Sequence, residues 1–105
     1  MNETMKQQNE KKIQAFGEYI YDAAVQRFGK SAQVDMAIEE CSELIQALCK
    51  FKRYEDVDEV RDNIVEEITD VEIMIAQMKI IFDGDYESEK RHKLERLNRL
   101  ICVEE

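Results

Sequence analysis

The chain has one histidine and three cysteines but 24 aspartates and glutamates, so any chemistry it performs has to be drawn from carboxylates. The pairs Glu40/Glu43 and Glu67/Asp70 each set two acids three residues apart, a spacing that makes them neighbours on a helix and lets them share one cation. Spacing by itself discriminates little. At this acid content chance yields about five such pairs, and the sequence has five, the others being Glu55/Asp58, Asp56/Glu59 and Glu59/Asp62. Surroundings separate them. Those three crowd the start of one helical segment, where acids favour the positive end of the helix dipole. Glu40/Glu43 and Glu67/Asp70 stand instead among Met36, Ala37, Cys41, Leu44 and Ala47, and among Ile64, Ile68, Val71 and Met74. Acids bordering a core stripe are costly unless something compensates them. Four converging carboxylates repel one another strongly at low effective dielectric, and the usual relief is protonation or a divalent cation. An all-oxygen donor set without Cys or His points to Mg²⁺, or to Mn²⁺, rather than zinc.

Helices must position these acids. With 3 Gly and no Pro, the chain lacks the punctuation that an all-β fold spends at every turn. Residues 1–9 are polar and aperiodic and are expected to be a flexible segment, leaving a single domain over residues 10–105. From Ile13 the apolar residues Ile13, Phe16, Ile20, Ala24 and Phe28 recur at helical steps, and Gly29 stands where a left-handed C-terminal cap is usual. A second helix is expected from Ser31 as N-cap, with Val34, Ile38, Cys41, Ile45 and Leu48 as its apolar stripe and Ala37 and Leu44 widening it. The third starts at Asp56 with Glu59 as an acidic capping box and carries Val57, Val60, Ile64, Ile68, Val71, Ile75, Met78 and Phe82. Asp83-Gly84-Asp85 breaks the pattern, and a basic fourth helix follows from Tyr86 to about Cys102, with Leu94, Leu97 and Ile101 facing inward. Ile73, Ile80 and Ile81 fall off the third helix's stripe, so a single four-helix layer leaves apolar surface uncovered. The expectation is an all-α bundle of four main helices completed by oligomerisation, as a homodimer or homotetramer with the third helix near the axis.

An antiparallel packing of the second and third helices across the turn near Tyr54 to Asp56 sets Glu40/Glu43 and Glu67/Asp70 at comparable distances from that turn, where they can face each other. A net charge of −9 disfavours nucleic-acid and anionic-membrane partners, although a small anionic substrate is compatible when cations intervene. Cys41, Cys49 and Cys102 are odd in number and lack CxxC spacing, no secretory signal opens the chain, and no apolar stretch is long enough for a bilayer, which together suggest a cytoplasmic setting.

Glu39-Glu40-Cys41-Ser42-Glu43, followed after 22 residues by Glu66-Glu67-Ile68-Thr69-Asp70, resembles the EExxE…ExxD signature of the MazG-like, all-α nucleoside triphosphate pyrophosphohydrolases. The resemblance runs from about Phe28 through AIEECSELIQAL and EEITDVEIMIAQMKIIF to the basic KLERL helix. It implies that Glu40, Glu43, Glu67 and Asp70 bind Mg²⁺ and that the chain cleaves a nucleoside triphosphate to the monophosphate and pyrophosphate. Glu39 is then the additional acid, as an outer metal ligand or as the group that orients the attacking water. Lys93 and Arg96 resemble a basic pair downstream in such domains that contacts phosphates, and the off-stripe Tyr19 is a candidate for stacking on the base. Ser42 stands where the family commonly carries Gly, a departure that leaves the ligands intact. Two rivals share the same residues: a non-enzymatic helical interaction module that dimerises through its third helix, and a metal-dependent hydrolase of another phosphorylated metabolite.

Overall fold

Four helices form, and a computed structural model describes residues 3–102: α1 (Met5–Phe28), α2 (Lys30–Arg53), α3 (Asp58–Ile81) and α4 (Tyr86–Ile101), with no strand among the described residues. No described helix is long and apolar enough to cross a membrane.

The helix ends differ from the expected ones for local reasons. α1 starts at Met5, inside the segment read as flexible, because Thr4 and Gln7 make a reciprocal capping box: Thr4 Oγ1 accepts from the Gln7 N–H at 3.1 Å and Gln7 Oε1 accepts from the Thr4 N–H at 2.9 Å. Residues 1, 2 and 103–105 of the expected domain division lie outside the described residues. α2 begins directly at Gly29 rather than at Ser31, and α3 begins after Val57 with no side-chain cap, so the expected Asp56/Glu59 box does not form. Asp58 and Glu59 occupy the first turn of α3 instead, where their charge favours the dipole. α4 is capped by Asp85, whose Oδ1 accepts from the Ser88 N–H at 3.0 Å.

Gly29 is both the last cap of α1 and the first of α2. Its φ of 90° and ψ of 159° are not the left-handed cap geometry expected but a positive-φ extended one, essentially restricted to glycine. No neighbour lies within 4 Å of where a Cβ would stand, so the cost of a side chain there is backbone strain alone. Gly29→Ala is expected to cost about 1–3 kcal/mol, read as a fall of at least several degrees in melting temperature; an unchanged melt would contradict this.

α2 and α3 form an antiparallel hairpin, with α1 against both. Ala47, Val60, Val71 and Met74 are its buried apolar residues. Two glutamines are buried beside them, and Gln33 Nε2 donates to Gln77 Oε1 at 2.6 Å. A satisfied polar pair in a nonpolar setting tolerates little slippage, so it fixes the register of the hairpin. Glu40 is seven residues, or about two turns, after Gln33, and Asp70 is seven before Gln77. The glutamine pair therefore sets Glu40 opposite Asp70.

Several stripes read as core are not core in the single chain. On α1, Gly17, Tyr21, Ala24 and Val25 are the half-buried positions, while Ile13, Phe16 and Phe28 are exposed. On α2 the line toward α3 is Gln33, Ala37, Glu40, Leu44, Ala47 and Phe51, whereas Ile38, Cys41, Ile45 and Leu48 of the expected stripe face solvent. Leu94, Leu97 and Ile101 do not face inward either: beyond the contacts of Tyr86 with Phe82 and Lys79 at the junction, α4 packs on no other helix. The four-helix bundle expected is thus, in one chain, a three-helix packing with α4 standing apart. The Cα radius of gyration, 17.4 Å, compares with about 13 Å for a compact chain of this length.

Candidate metal centre

The turn at Tyr54–Val57 brings α3 back along α2, and the glutamine pair fixes the register, so the two acidic runs meet midway along the hairpin. One carboxylate oxygen each from Glu40, Glu67 and Asp70 lies within 4.8 Å of the others. Glu40 sits on the line of α2 that faces α3, between Ala37 and Leu44, and Glu67 sits on the facing line of α3, between Ile64 and Val71. Both are half-buried. Glu40 Oε2 is buried and has no hydrogen-bond partner, an arrangement an ionised carboxylate seldom tolerates unless a cation meets it or a proton is shared with a neighbour such as Asp70.

Desolvation is the first cause holding the Glu40 carboxyl above its ordinary value of 4.5, followed by the charges of Asp70 and Glu43. Glu67 is pushed up likewise, first by desolvation and then by the charge of Glu43. A group that keeps its proton more tightly folded than unfolded makes the fold most stable where it is protonated. The chelated protein is therefore expected to lose stability as pH rises from 4.5 through the raised values of these two acids, and Mg²⁺ to remove that loss. Melting curves between pH 4.5 and 7.5, with chelator and with Mg²⁺, check it; two parallel profiles would contradict it.

Glu43 is half-buried and opens onto the polar flank of the hairpin, where it lines a cleft of about 360 Å³ with Gln46, Ala47, Lys50, Asn63 and Glu67. Glu39 is exposed, one residue before Glu40. Tyr19 is exposed on α1. Lys93 and Arg96 are exposed on α4, and since α4 packs against neither α2 nor α3, they are not gathered with the carboxylates of their own chain.

Lys50 and Asn63 were not singled out by the sequence. Lys50 lies seven residues after Glu43 on the same side of α2, and it is the cation lining the acidic cleft. Its spacing from Glu43 is the signal that finds it, once that flank is known to be open rather than packed. Gln33 and Gln77, which set the register, carry no such signal, because a glutamine near a helix stripe reads as surface.

An apolar concavity of about 480 Å³ between Val34, Ile38, Cys41, Ile45 and Met78 lies on the other flank of the hairpin and contains none of the acids. It is not where the carboxylate chemistry is. Comparison with family models, curated proteins and solved structures finds no match to the chain.

Proposed function

We propose that the chain is a Mg²⁺-dependent nucleoside triphosphate pyrophosphohydrolase, cleaving an NTP or dNTP to the monophosphate and pyrophosphate. The observation that carries this reading is the meeting of Glu40, Glu67 and Asp70 across two helices, at the positions where the sequence resembles EExxE…ExxD. The donors fit a hard divalent cation: three carboxylates from facing helices, one oxygen buried without a partner, and no competing Cys or His in the group. Mn²⁺ fits the same oxygen set.

Glu40, Glu67 and Asp70 are the residues that would hold the ion, with Glu43 as a fourth carboxylate from the polar flank. Bound there, it would supply positive charge for the triphosphate oxygens and make a bound water a stronger acid. Glu39, exposed beside Glu40, accepts a hydrogen bond from the attacking water and orients it. Lys50, facing the cleft, offers its ammonium to a phosphate oxygen, the task that the family resemblance implies for Lys93 and Arg96. The exposed ring of Tyr19 is available for the base. The protein works as a homodimer or homotetramer, a reading supported by the extent of apolar surface left open in one chain.

The non-enzymatic module draws on that same apolar surface, but it gives no reason for an unpartnered carboxylate oxygen on a helix line that otherwise packs. Incubation of the full chain with canonical and modified NTPs and dNTPs in Mg²⁺, followed by chromatography, distinguishes them. Monophosphate and pyrophosphate in equal amounts are expected. Release of inorganic phosphate with a diphosphate, or no turnover of any nucleotide, would refute the reading.

A further inference from the structure

Among the described residues α4 packs along no other helix. Leu94, Leu97 and Ile101 recur at helical steps along one face, with Leu100 beside them, and all four are at least half exposed. The connection to α3 holds it away: Tyr86 Oη donates to the Phe82 carbonyl, the Lys79 ammonium lies 5.3 Å from the Tyr86 ring centroid, and Asp85 caps the new helix.

The α2/α3 hairpin has the complementary defect. At 100° per residue, Val34, Ile38, Cys41, Ile45 and Leu48 lie about a quarter-turn from the line that faces α3. The first four of them, with Met78, wall an open apolar groove on the flank opposite Glu43 and Lys50. From Val34 to Ile45 the groove runs along about 16 Å of helix, and α4 from Tyr86 to Ile101 is about 24 Å long, so the helix covers it from end to end. α4 carries five Lys and Arg against three Glu in a chain whose net charge is −9, so its approach to a second copy meets no net charge repulsion.

The surface is also too large for a chain that ends at its own boundary. Its accessible area is 9040 Å², against about 6,100 Å² for a folded monomer of this mass. The excess, about 2,900 Å² per chain, exceeds the roughly 800 Å² per partner of an ordinary interface and suits an intertwined dimer.

We propose that α4 of each chain lies in the Val34–Ile38–Cys41–Ile45–Met78 groove of a second copy, so that two chains exchange their last helices across a two-fold axis. Each exchange covers one unpartnered face with another, and both copies are satisfied by the same contact. The acidic cleft lies on the opposite flank and stays open. The exchange therefore does not depend on the metal or on nucleotide turnover.

Disulfide trapping tests it on the full chain. With Cys49 and Cys102 replaced by Ser, Cys41 remains as a groove thiol, and Leu97→Cys puts a second on the apolar face of α4. Mild oxidation is expected to give a covalent dimer on a non-reducing denaturing gel. Glu95→Cys, on the polar face of α4, is expected to give little. A second readout is mass in solution: the wild type is expected to sediment as a dimer or a multiple of it. Leu97→Asp, which changes a residue exposed in the single chain, is expected to shift the protein toward 12.4 kDa with its helicity retained. Covalent dimer from Glu95→Cys as readily as from Leu97→Cys, a disulfide within one chain, or a wild type of monomer mass at micromolar concentration would each overturn the exchange.

Discussion

Asp70→Asn is expected to lower turnover of the preferred nucleotide by more than about 100-fold while leaving the far-ultraviolet circular dichroism unchanged. Residues that merely orient metal ligands cost 10–100-fold when replaced; loss of a ligand's own charge therefore sets about 100-fold as the lower bound. The fold has no comparable stake in Asp70. It lies beside the buried line of α3 rather than on it, and the helix is held by Val60, Val71, Met74 and the Gln33–Gln77 pair. Asn keeps the size and loses the charge, so any change in packing is minimal. Glu43→Ala is expected to behave in the same direction. Glu55→Ala, at the exposed turn between α2 and α3, serves as the comparison and is expected to stay within about twofold of the wild type, as surface changes away from structural features usually do. Steady-state kinetics on the three variants decide it. Equal losses in all three, or full activity in Asp70→Asn, would remove Asp70 from the site.

What the sequence makes legible here is periodicity, and what it hides is direction. Four helices are visible in the recurrence of apolar residues, and the breaks at Gly29, near Tyr54 and at Asp83-Gly84-Asp85 agree with the structure because they depend on local chemistry. Which face of each helix is buried is a tertiary fact. Val34, Ile38, Cys41, Ile45 and Leu48 make a cleaner stripe than Gln33, Ala37, Glu40, Leu44, Ala47 and Phe51, yet the second set faces α3. The polar members of that set disguise it: a buried glutamine with its partner on another helix, and a glutamate among other carboxylates. α4 misleads similarly. Its apolar face predicts contact but cannot say with what, and among the described residues of one chain that face packs on no other helix. The acidic centre was legible because both halves are local runs, and an antiparallel return over a short turn leaves them only one meeting place. Lys50 was not, since a lysine in the last turn of a helix is equally explained by the dipole.

Glu40→Gln is expected to separate stability from metal binding. Glu40 Oε2 is buried without a partner, and burial together with the charges of Asp70 and Glu43 opposes ionisation of this carboxyl. At neutral pH in chelator, neutralising it removes repulsion that the fold otherwise carries, and the amide brings a donor that a neighbouring carboxylate can accept. The metal-free variant should therefore melt above the metal-free wild type. With Mg²⁺ the order reverses. A ligand present at 100 times its dissociation constant stabilises the folded state by about 2.7 kcal/mol if the unfolded chain binds it poorly, which for a domain of this size is a rise of roughly 10 °C or more. The wild type should show that rise and Glu40→Gln little of it, because one of the three converging oxygens no longer carries charge. Such a crossing of the two melts marks a residue kept for its ligand at the expense of the fold. A variant less stable than the wild type in chelator, or equally responsive to Mg²⁺, would make Glu40 a structural acid.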